Sequence, residues 1–422
     1  MKSFFKKIIV KILIWESKAI LKKYKPSIIA VTGTVGKTST KDAIYTVVSS
    51  SEYVRKSEKS FNSEIGVPLT IIGCPNGWSD PFAWISNIFQ GLELILFKSE
   101  YPKCLILEIG ADHPGDIESI SKWLKIDVSV ITKIGDVPVH VEFFPSPAHV
   151  VREKSFLIKA LKPEGSLVLY VDDKKVSALA QNVKQTVYSF GINEMATING
   201  SNASIIYDDM RLPSGISFRL NYKGNSIPMK INGVLGMQQI YPIIAAATVG
   251  IVRNISMNKI VDSFEKHVYP KGRMNIVAGI NRSAIIDDSY NSSPDALREA
   301  LNTLASLQVS GKRIAVIGDM MELGNYSTEE HRKAGVQALQ SSDLLVTVGQ
   351  RARQMATGNS ISFDTSTEAG EYLRGIVSEG DVILVKGSQS MRMERVTKAI
   401  MLESDNAAKY IVRQEAEWLA KK

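Results

Sequence analysis

Thr32-Gly33-Thr34-Val35-Gly36-Lys37-Thr38-Ser39-Thr40 carries the residue types that bind phosphate. Glycines let a turn bring backbone N–H groups close to phosphate oxygens, and a helix starting there adds the positive end of its dipole. Lys37 would reach the β- and γ-phosphates of a nucleotide, and the Thr38 hydroxyl would hold Mg²⁺. Gly33, Thr34, Gly36, Lys37, Thr38 and Ser39 are therefore candidate nucleotide-binding residues. The spacing is the short G-x-x-G-K-T, because Val31 stands where the longer phosphate-loop pattern has its first glycine. A glycine-rich turn that binds nothing is the bland alternative; the flanking strand and helix patterns argue against it.

Other chemistry-bearing residues fall where strands end. Residues 104–110 form an apolar run that closes on Glu108. At the C-terminal edge of a parallel sheet this carboxylate would stand near the phosphate loop, as Mg²⁺ coordination requires. A strand-end glutamate is more often a solvated rim residue, and the loop upstream raises Glu108 above that. His140 follows a second apolar run, residues 128–132, and Lys154 comes fourteen residues after it. No close pair among the five histidines has the spacing of transition-metal ligands. Residues 287–294, Asp-Asp-Ser-Tyr-Asn-Ser-Ser-Pro, stand at a strand-to-helix junction and suit a capped turn. Arg273, just before them, offers a cation to a nucleotide held by another domain. Strand-end turns carrying charge on two domains suggest closure around a substrate.

The elements that must position these groups are legible from periodicity. Residues 28–31 read as a buried parallel strand, and Ala43, Ile44, Val47 and Val48 recur at helical spacing. A stretch with Trp78, Trp84 and Phe89 reads as a helix packed into the fold. Residues 160 to about 235 hold short alternating runs with turn signals, read as β-rich structure completing the same domain. Residues 238–252 are rich in Ala and Ile and predict a buried helix. After a linker at 269–273, strands at 284–286, 313–317, 344–348, 360–363 and 382–385 alternate with helical patterns. The fold class predicted is α/β: a P-loop domain with a mainly parallel sheet at 27–268, then a Rossmann-like α/β domain at 269–422.

The chain has 422 residues and a formal net charge of +8. Residues 1–25 contain eight lysines and one glutamate, so they hold seven of the eight net positive charges. The remainder is nearly neutral, which gives no support to a nucleic-acid-binding face. Residues 1–26 read as a basic amphipathic helix with Phe4, Phe5, Ile8, Ile9, Ile12 and Leu13 as a rough stripe. The run is too short and too charged to span a bilayer, and no signal-peptide cleavage site follows. Its charge and stripe fit peripheral contact with an anionic membrane surface; the competing reading packs the stripe on the next domain. Cys74 and Cys104 lie in or beside apolar runs and predict buried free thiols in a reducing compartment.

Taken together, residues 32–40, 62–68, 107–111, His140 with Lys154, 272–274, 287–294, 318–324 and 386–388 resemble the Mur ligase family. These are the ATP-dependent peptide-bond formers of peptidoglycan synthesis, and the resemblance runs from about residue 27 to 402. The last two blocks are similar to the branch that adds D-alanyl-D-alanine to a muramoyl tripeptide. The resemblance implies ATP and two Mg²⁺ ions, with Thr38, Glu108, His140 and Lys154 as metal-binding positions. Lys37, Glu108, His140 and Lys154 are implied to be catalytic. Lys154 falls where related ligases carry a carbamylated lysine. Arg273, Asp288 and Asn291 look like nucleotide contacts, and Asn62 falls near adenine or substrate. The chain departs from the family pattern at Ser63, Asp112, Lys133 and Gln238-Gln239. The D-alanyl-D-alanine branch also has a uridine-nucleotide domain before its phosphate loop, whereas only residues 1–32 precede Gly33, so that domain is expected to be lacking.

The implied activity is formation of an acyl phosphate from a muramoyl-peptide-like acid, then attack by an amine, in the cytoplasm or at the inner face of the membrane. The rivals are a family ligase acting on a different acid and amino acid, and a P-loop ATPase without ligation.

Overall fold

The computed structural model describes residues 2–58, 61–78, 80–181, 183–356, 358 and 360–420, with the backbone alone for residues 2–5. The chain divides into two compact units. The first takes the chain up to Gly135, then Phe143–Asn199 and Tyr241–Val268; the second takes Asp136–Glu142, Gly200–Ile240 and the chain from Tyr269.

The first unit opens with α1 (Lys2–Tyr24), followed by β1 (Ser27–Thr32) and α2 (Lys37–Ser49). Then come β2 (Val54–Lys56), α3 (Gly66–Ile72), α4 (Pro81–Leu96), β3 (Cys104–Glu108), α5 (Asp116–Ser121) and β4 (Ile126–Ile131). The helix α6 (Pro147–Lys159), β5 (Leu161–Tyr170), the single turn α7 (Lys174–Ser177) and β6 (Thr186–Gly191) complete its sheet. The order is β2-β3-β1-β4-β5-β6, every neighbour parallel. Strands covered on both faces must be apolar throughout, which is why Ile28–Val31 and Leu105–Leu107 are continuous runs and fully buried. Register pairs Val31 with Glu108 and Thr32 with Ile131, so the ends of β1, β3 and β4 share one edge.

β7 (Ile198–Tyr207) crosses from the first unit's residues to the second's; β8 (Pro213–Tyr222) and β9 (Asn225–Asn232) form an antiparallel hairpin in the second. The predicted Ala- and Ile-rich helix is α8 (Met237–Val252), and α9 (Met257–Ser263) follows. The second unit continues with β10 (Asn275–Ala278), β11 (Ala284–Asp288), α10 (Pro294–Ser306), β12 (Arg313–Gly318), α11 (Ser327–Ser341) and β13 (Leu344–Val348). It ends its sheet with β14 (Ile361–Phe363), α12 (Ser366–Ile376), β15 (Val382–Lys386) and the helix α13 (Glu394–Ile400). The order is β10-β11-β15-β12-β13-β14, parallel except for β10, an antiparallel edge strand absent from the sequence reading. Ile285, Val316, Val346, Ile383 and Val385 of the sheet pack with Leu373 of α12 and Val396 of α13. The α/β class expected from the alternating patterns is the one observed.

Two expectations need correction. Trp78 and Phe89 do not pack into the fold: they are 75% and 66% exposed, and of α4 only Asn87 and Gly91 are buried. The face α1 buries follows the predicted stripe only in part: Leu13 is buried, Ile9 and Ile12 are half-buried and Ile8 is exposed, and Val10, Glu16, Ser17 and Ile20 complete the buried face. The side chains of Phe4 and Phe5, also assigned to that stripe, lie outside the described residues.

Candidate active site

In the first unit β1 delivers the chain into a tight loop and α2 takes it away. Gly33 and Gly36 both have positive φ, 146° and 85°, which glycine alone adopts cheaply. A Cβ at Gly33 would also overlap the Thr132 hydroxyl. Thr132, just past β4, donates to Val35 O at 2.8 Å, while Thr34 N and Val35 N donate to Lys133 O at 2.9 and 3.1 Å. The loop is thus pinned to the end of β4. Gly36 is the N-cap of α2 and brings no side chain to cap it, leaving the first turn's N–H groups to face an anion. The buried hydroxyls of Thr32 and Thr34 have no hydrogen-bond partner, as suits a cradle shaped for oxygens it does not itself contain. Lys37 Nζ reaches back to Thr34 O at 3.3 Å.

Glu108 stands where β3 ends, 5% exposed, and accepts from Thr38 Oγ1 at 3.1 Å. Its own N–H donates to Ser57 Oγ at 3.0 Å. Asn62 lies beside it: Gly110 N donates to Asn62 O at 2.8 Å, and a Cβ at Gly110 would crowd the Asn62 amide. Lys154, on α6, is 3% exposed. Burial first, and the charge of Lys37 second, push its ammonium down to about 7, against the pull of Asp112 and Glu153. Neighbouring Glu153 accepts from the N–H groups of Gly115, Ile117 and Glu118 at 3.0, 2.7 and 3.1 Å, which ties α6 to the start of α5. Sequence reasoning missed Thr132, Ser57 and Glu153, whose partners are distant in the chain.

The second unit gathers Arg273, Asp288 and Asn291. The Arg273 guanidinium lies over the Tyr290 ring, 4.2 Å from its centroid. Asp288 ends β11 and pairs with Lys386, which ends the adjacent β15, at 2.6 Å; the two side chains are 8% and 2% exposed. Burial raises the Asp288 carboxyl and lowers the Lys386 ammonium, and their mutual attraction opposes both shifts. Lys386 also donates to Asn291 O at 2.9 Å. Ser293 caps α10 through Ala296 N at 3.3 Å, with Pro294 at its first position, so the capped turn read from the sequence is present as well. Arg413, 2% exposed, donates to Ser289 O and Tyr290 O and pairs with Glu394 at 2.9 Å. It clamps the turn from a segment where the sequence held no signal.

His140 belongs to the second unit, whereas Glu108 and Lys154 belong to the first. Its Nδ1 meets Glu322 Oε2 at 2.6 Å, and this hydrogen bond holds the Glu322 carboxyl below its ordinary value. Both residues have positive φ, 69° and 62°, so the contact is made at some backbone cost.

Among the described residues no three His, Cys, Asp or Glu side chains converge as a metal centre. Thr38 and Glu108 nevertheless present two oxygens together, the donor type a hard cation takes. The donor chemistry fits Mg²⁺.

Known proteins resemble this chain in sequence and in fold. The sequence pattern of the Mur ligase middle domain matches residues 31–83 and 87–250, and that of the Mur ligase, glutamate ligase domain matches residues 272–389. The UDP-N-acetylmuramoyl-tripeptide–D-alanyl-D-alanine ligase of Bacillus subtilis is 27% identical over 394 residues, spanning 91% of this chain and 78% of that protein. Among solved structures, the MurF ligase of Thermotoga maritima in complex with ADP superposes with a TM-score of 0.78 at 25% identity, over 95% of this chain and 84% of that one. A MurF of Acinetobacter baumannii shares the fold at 24% identity with a TM-score of 0.75, over 92% and 79%.

Proposed function

The chain belongs to the Mur ligase family of ATP-dependent, ADP-forming amide ligases, and from that premise we propose that it joins D-alanyl-D-alanine to a UDP-linked muramoyl tripeptide in peptidoglycan synthesis. The observation that carries this reading is the glycine loop pinned to the end of β4, with Thr38 and Glu108 in contact at 3.1 Å, and a lysine buried on α6.

In this reading the loop's N–H groups and Lys37 hold the β- and γ-phosphates of ATP and neutralise the charge that grows as the phosphoryl group transfers. A carboxylate oxygen of the acid attacks the γ-phosphorus, the bond to the bridging oxygen breaks, and ADP leaves. The amine of the dipeptide then attacks the acyl carbon, phosphate departs, and the amine's proton passes to solvent. Thr38, Glu108, His140 and carbamylated Lys154 are the positions assigned to Mg²⁺, which would screen the phosphates when bound. Carbamylation needs a neutral amine to attack CO₂, losing a proton, and a lysine held at about 7 supplies that amine near neutral pH. Arg273, Asp288 and Asn291 are assigned to the nucleotide, and Asn62 to adenine or substrate.

The enzyme would work in the cytoplasm, held at an anionic membrane face by residues 1–25. Among the described residues no helix is long and apolar enough to cross a membrane, so such contact would be peripheral. Mass spectrometry of products from ATP, D-alanyl-D-alanine and a panel of muramoyl peptides tests the main reading. A product heavier than the acid by the dipeptide less water, formed with one ADP, is expected. ADP formed without any amide would reassign the chain as an ATPase.

A further inference from the structure

We propose that Lys41 and Ser57 are positioning residues of the phosphate-loop site: together they fix the main chain of Glu108 against α2, the helix that carries Thr38. This rests on the assignment of Mg²⁺ to Thr38 and Glu108 above and adds the residues that hold those two ligands in register.

The connections form a closed circuit. Thr38 and Lys41 are three residues apart on α2, so they share one face of the helix. Thr38 Oγ1 donates to Glu108 Oε1 at 3.1 Å, Glu108 N donates to Ser57 Oγ at 3.0 Å, and Lys41 Nζ donates to Ser57 O at 2.9 Å. One turn of α2 therefore holds Glu108 twice, through its carboxylate and, by way of Ser57, through its main chain. A shift of Ser57 would carry the end of β3 away from Thr38.

Ser57 marks a departure from regular strand pairing. The β2–β3 ladder ends with Lys56 opposite Ile106, and Ser57 N still donates to Ile106 O at 2.9 Å. A regular parallel ladder would next run from Glu108 N to Ser57 O. Instead Glu108 N takes the Ser57 hydroxyl and Lys41 takes the carbonyl. Side-chain bonds thus replace the last rung at the residue whose carboxylate meets Thr38. A buried ammonium is a costly way to satisfy one carbonyl. Lys41 is 3% exposed, and Asp42, 3.4 Å from it, is also engaged by Lys56 at 2.5 Å. An apolar side chain would fill the same space at lower desolvation cost, so stability alone does not account for a cation here.

Calorimetric binding of a non-hydrolysable ATP analogue, with and without Mg²⁺, tests this without turnover. The unaltered chain should bind the analogue more tightly when Mg²⁺ is present. Lys41→Met and Ser57→Ala should each lose about tenfold or more of that gain, as for groups that orient metal ligands, and should keep the metal-free affinity. Lys41→Met keeps the buried volume and Ser57→Ala removes a single oxygen; circular dichroism checks both folds, and binding is measured below each melting transition. If Lys41→Met does not fold, Ser57→Ala decides the matter. The double variant should bind no worse than the weaker single one, because Lys41 reaches Glu108 only through Ser57. In turnover, the Mg²⁺ concentration for half-maximal ADP release should rise by the same factor, with the KM of the amine unchanged. Folded variants that melt earlier yet keep the full Mg²⁺ gain would leave Lys41 and Ser57 a structural role and overturn the proposal. Additive losses in the double variant would overturn it too. Absence of any Mg²⁺ gain in the unaltered chain would instead remove the metal from Thr38 and Glu108, and the proposal with it.

Discussion

Lys37 and Lys154 are both cations near one loop, yet their surroundings give them different work. Lys37 opens α2 in the loop proposed to hold phosphate, and Lys37→Ala should lower kcat by the equivalent of about 2.7–4 kcal/mol while leaving the fold intact, as for loss of one transition-state contact. Circular dichroism and single-turnover ADP release would check this, and near-normal turnover in a folded variant would refute the assignment. Lys154 is buried and held down to about 7, so its neutral fraction shrinks as pH falls below that value. Activity lost on acidification below pH 7 should be partly restored by added bicarbonate, and Lys154→Ala should be partly rescued by a small carboxylate such as acetate. A fully active Lys154→Ala would leave this lysine with a structural role only. In the second unit Arg413 deserves the same scrutiny. It satisfies two carbonyls of the Asp288–Asn291 turn and shares Glu394 with Arg392. Removing one member of such a buried network costs about 3–5 kcal/mol, so Arg413→Met should lower the unfolding free energy by that order in denaturant titration.

At the scale of elements, the α1–α4 contact contains its own titration. Glu16 is fully buried in it, neither carboxylate oxygen has a hydrogen-bond partner, and desolvation pushes its carboxyl up to about 7 from 4.5. The folded state therefore binds the proton more tightly than the unfolded one. This stabilisation is full below the unfolded value near 4.5 and is lost as pH rises through about 7. A displacement of that size corresponds to about 3 kcal/mol across the window. Thermal melts should show the chain losing stability between pH 5 and 8, and Glu16→Gln should flatten that slope. An unchanged slope in the variant would place the pH dependence elsewhere. The neighbouring α3 and α4 also explain the two corrected readings. A periodic pattern says that a helix has an apolar face; it does not say which neighbour arrives to cover it. α1 turns Val10, Leu13 and Ile20 inward, and α4, apolar on nearly every side, finds a partner on only one of them.

For the whole molecule the charge is lopsided: seven of eight net positive charges lie in the first 25 residues, and the two compact units share the remainder. Each unit is an α/β assembly, with Glu108 at a strand end in the first and Asp288 at one in the second. A nucleotide bound there stabilises the folded chain by mass action. Mg²⁺–ATP analogue at a hundred times its dissociation constant should raise the unfolding free energy by about 2.7 kcal/mol. Lys37→Ala should show little of that gain at the same concentration, and scanning calorimetry would distinguish the two. An equal shift in both proteins would mean that the nucleotide is held somewhere other than the phosphate loop.

What the amino-acid order determined by itself was local. Strand, glycine turn, Lys-Thr and helix lie within residues 28–48, so this strand–loop–helix unit was legible because its geometry follows from neighbours in the chain. The buried strands were legible for the same reason, since parallel strands covered on both faces must be apolar without interruption. The partners were not. Thr38 meets Glu108, Asp288 meets Lys386, and His140 meets Glu322 only because sheet register and loop closure bring together residues 70 to 182 positions apart. Burial of Lys154, which decides its protonation, and exposure of α4, which decides its surroundings, likewise depend on which other elements arrive. Those choices are made by the summed packing of the fold, and no window of sequence contains them.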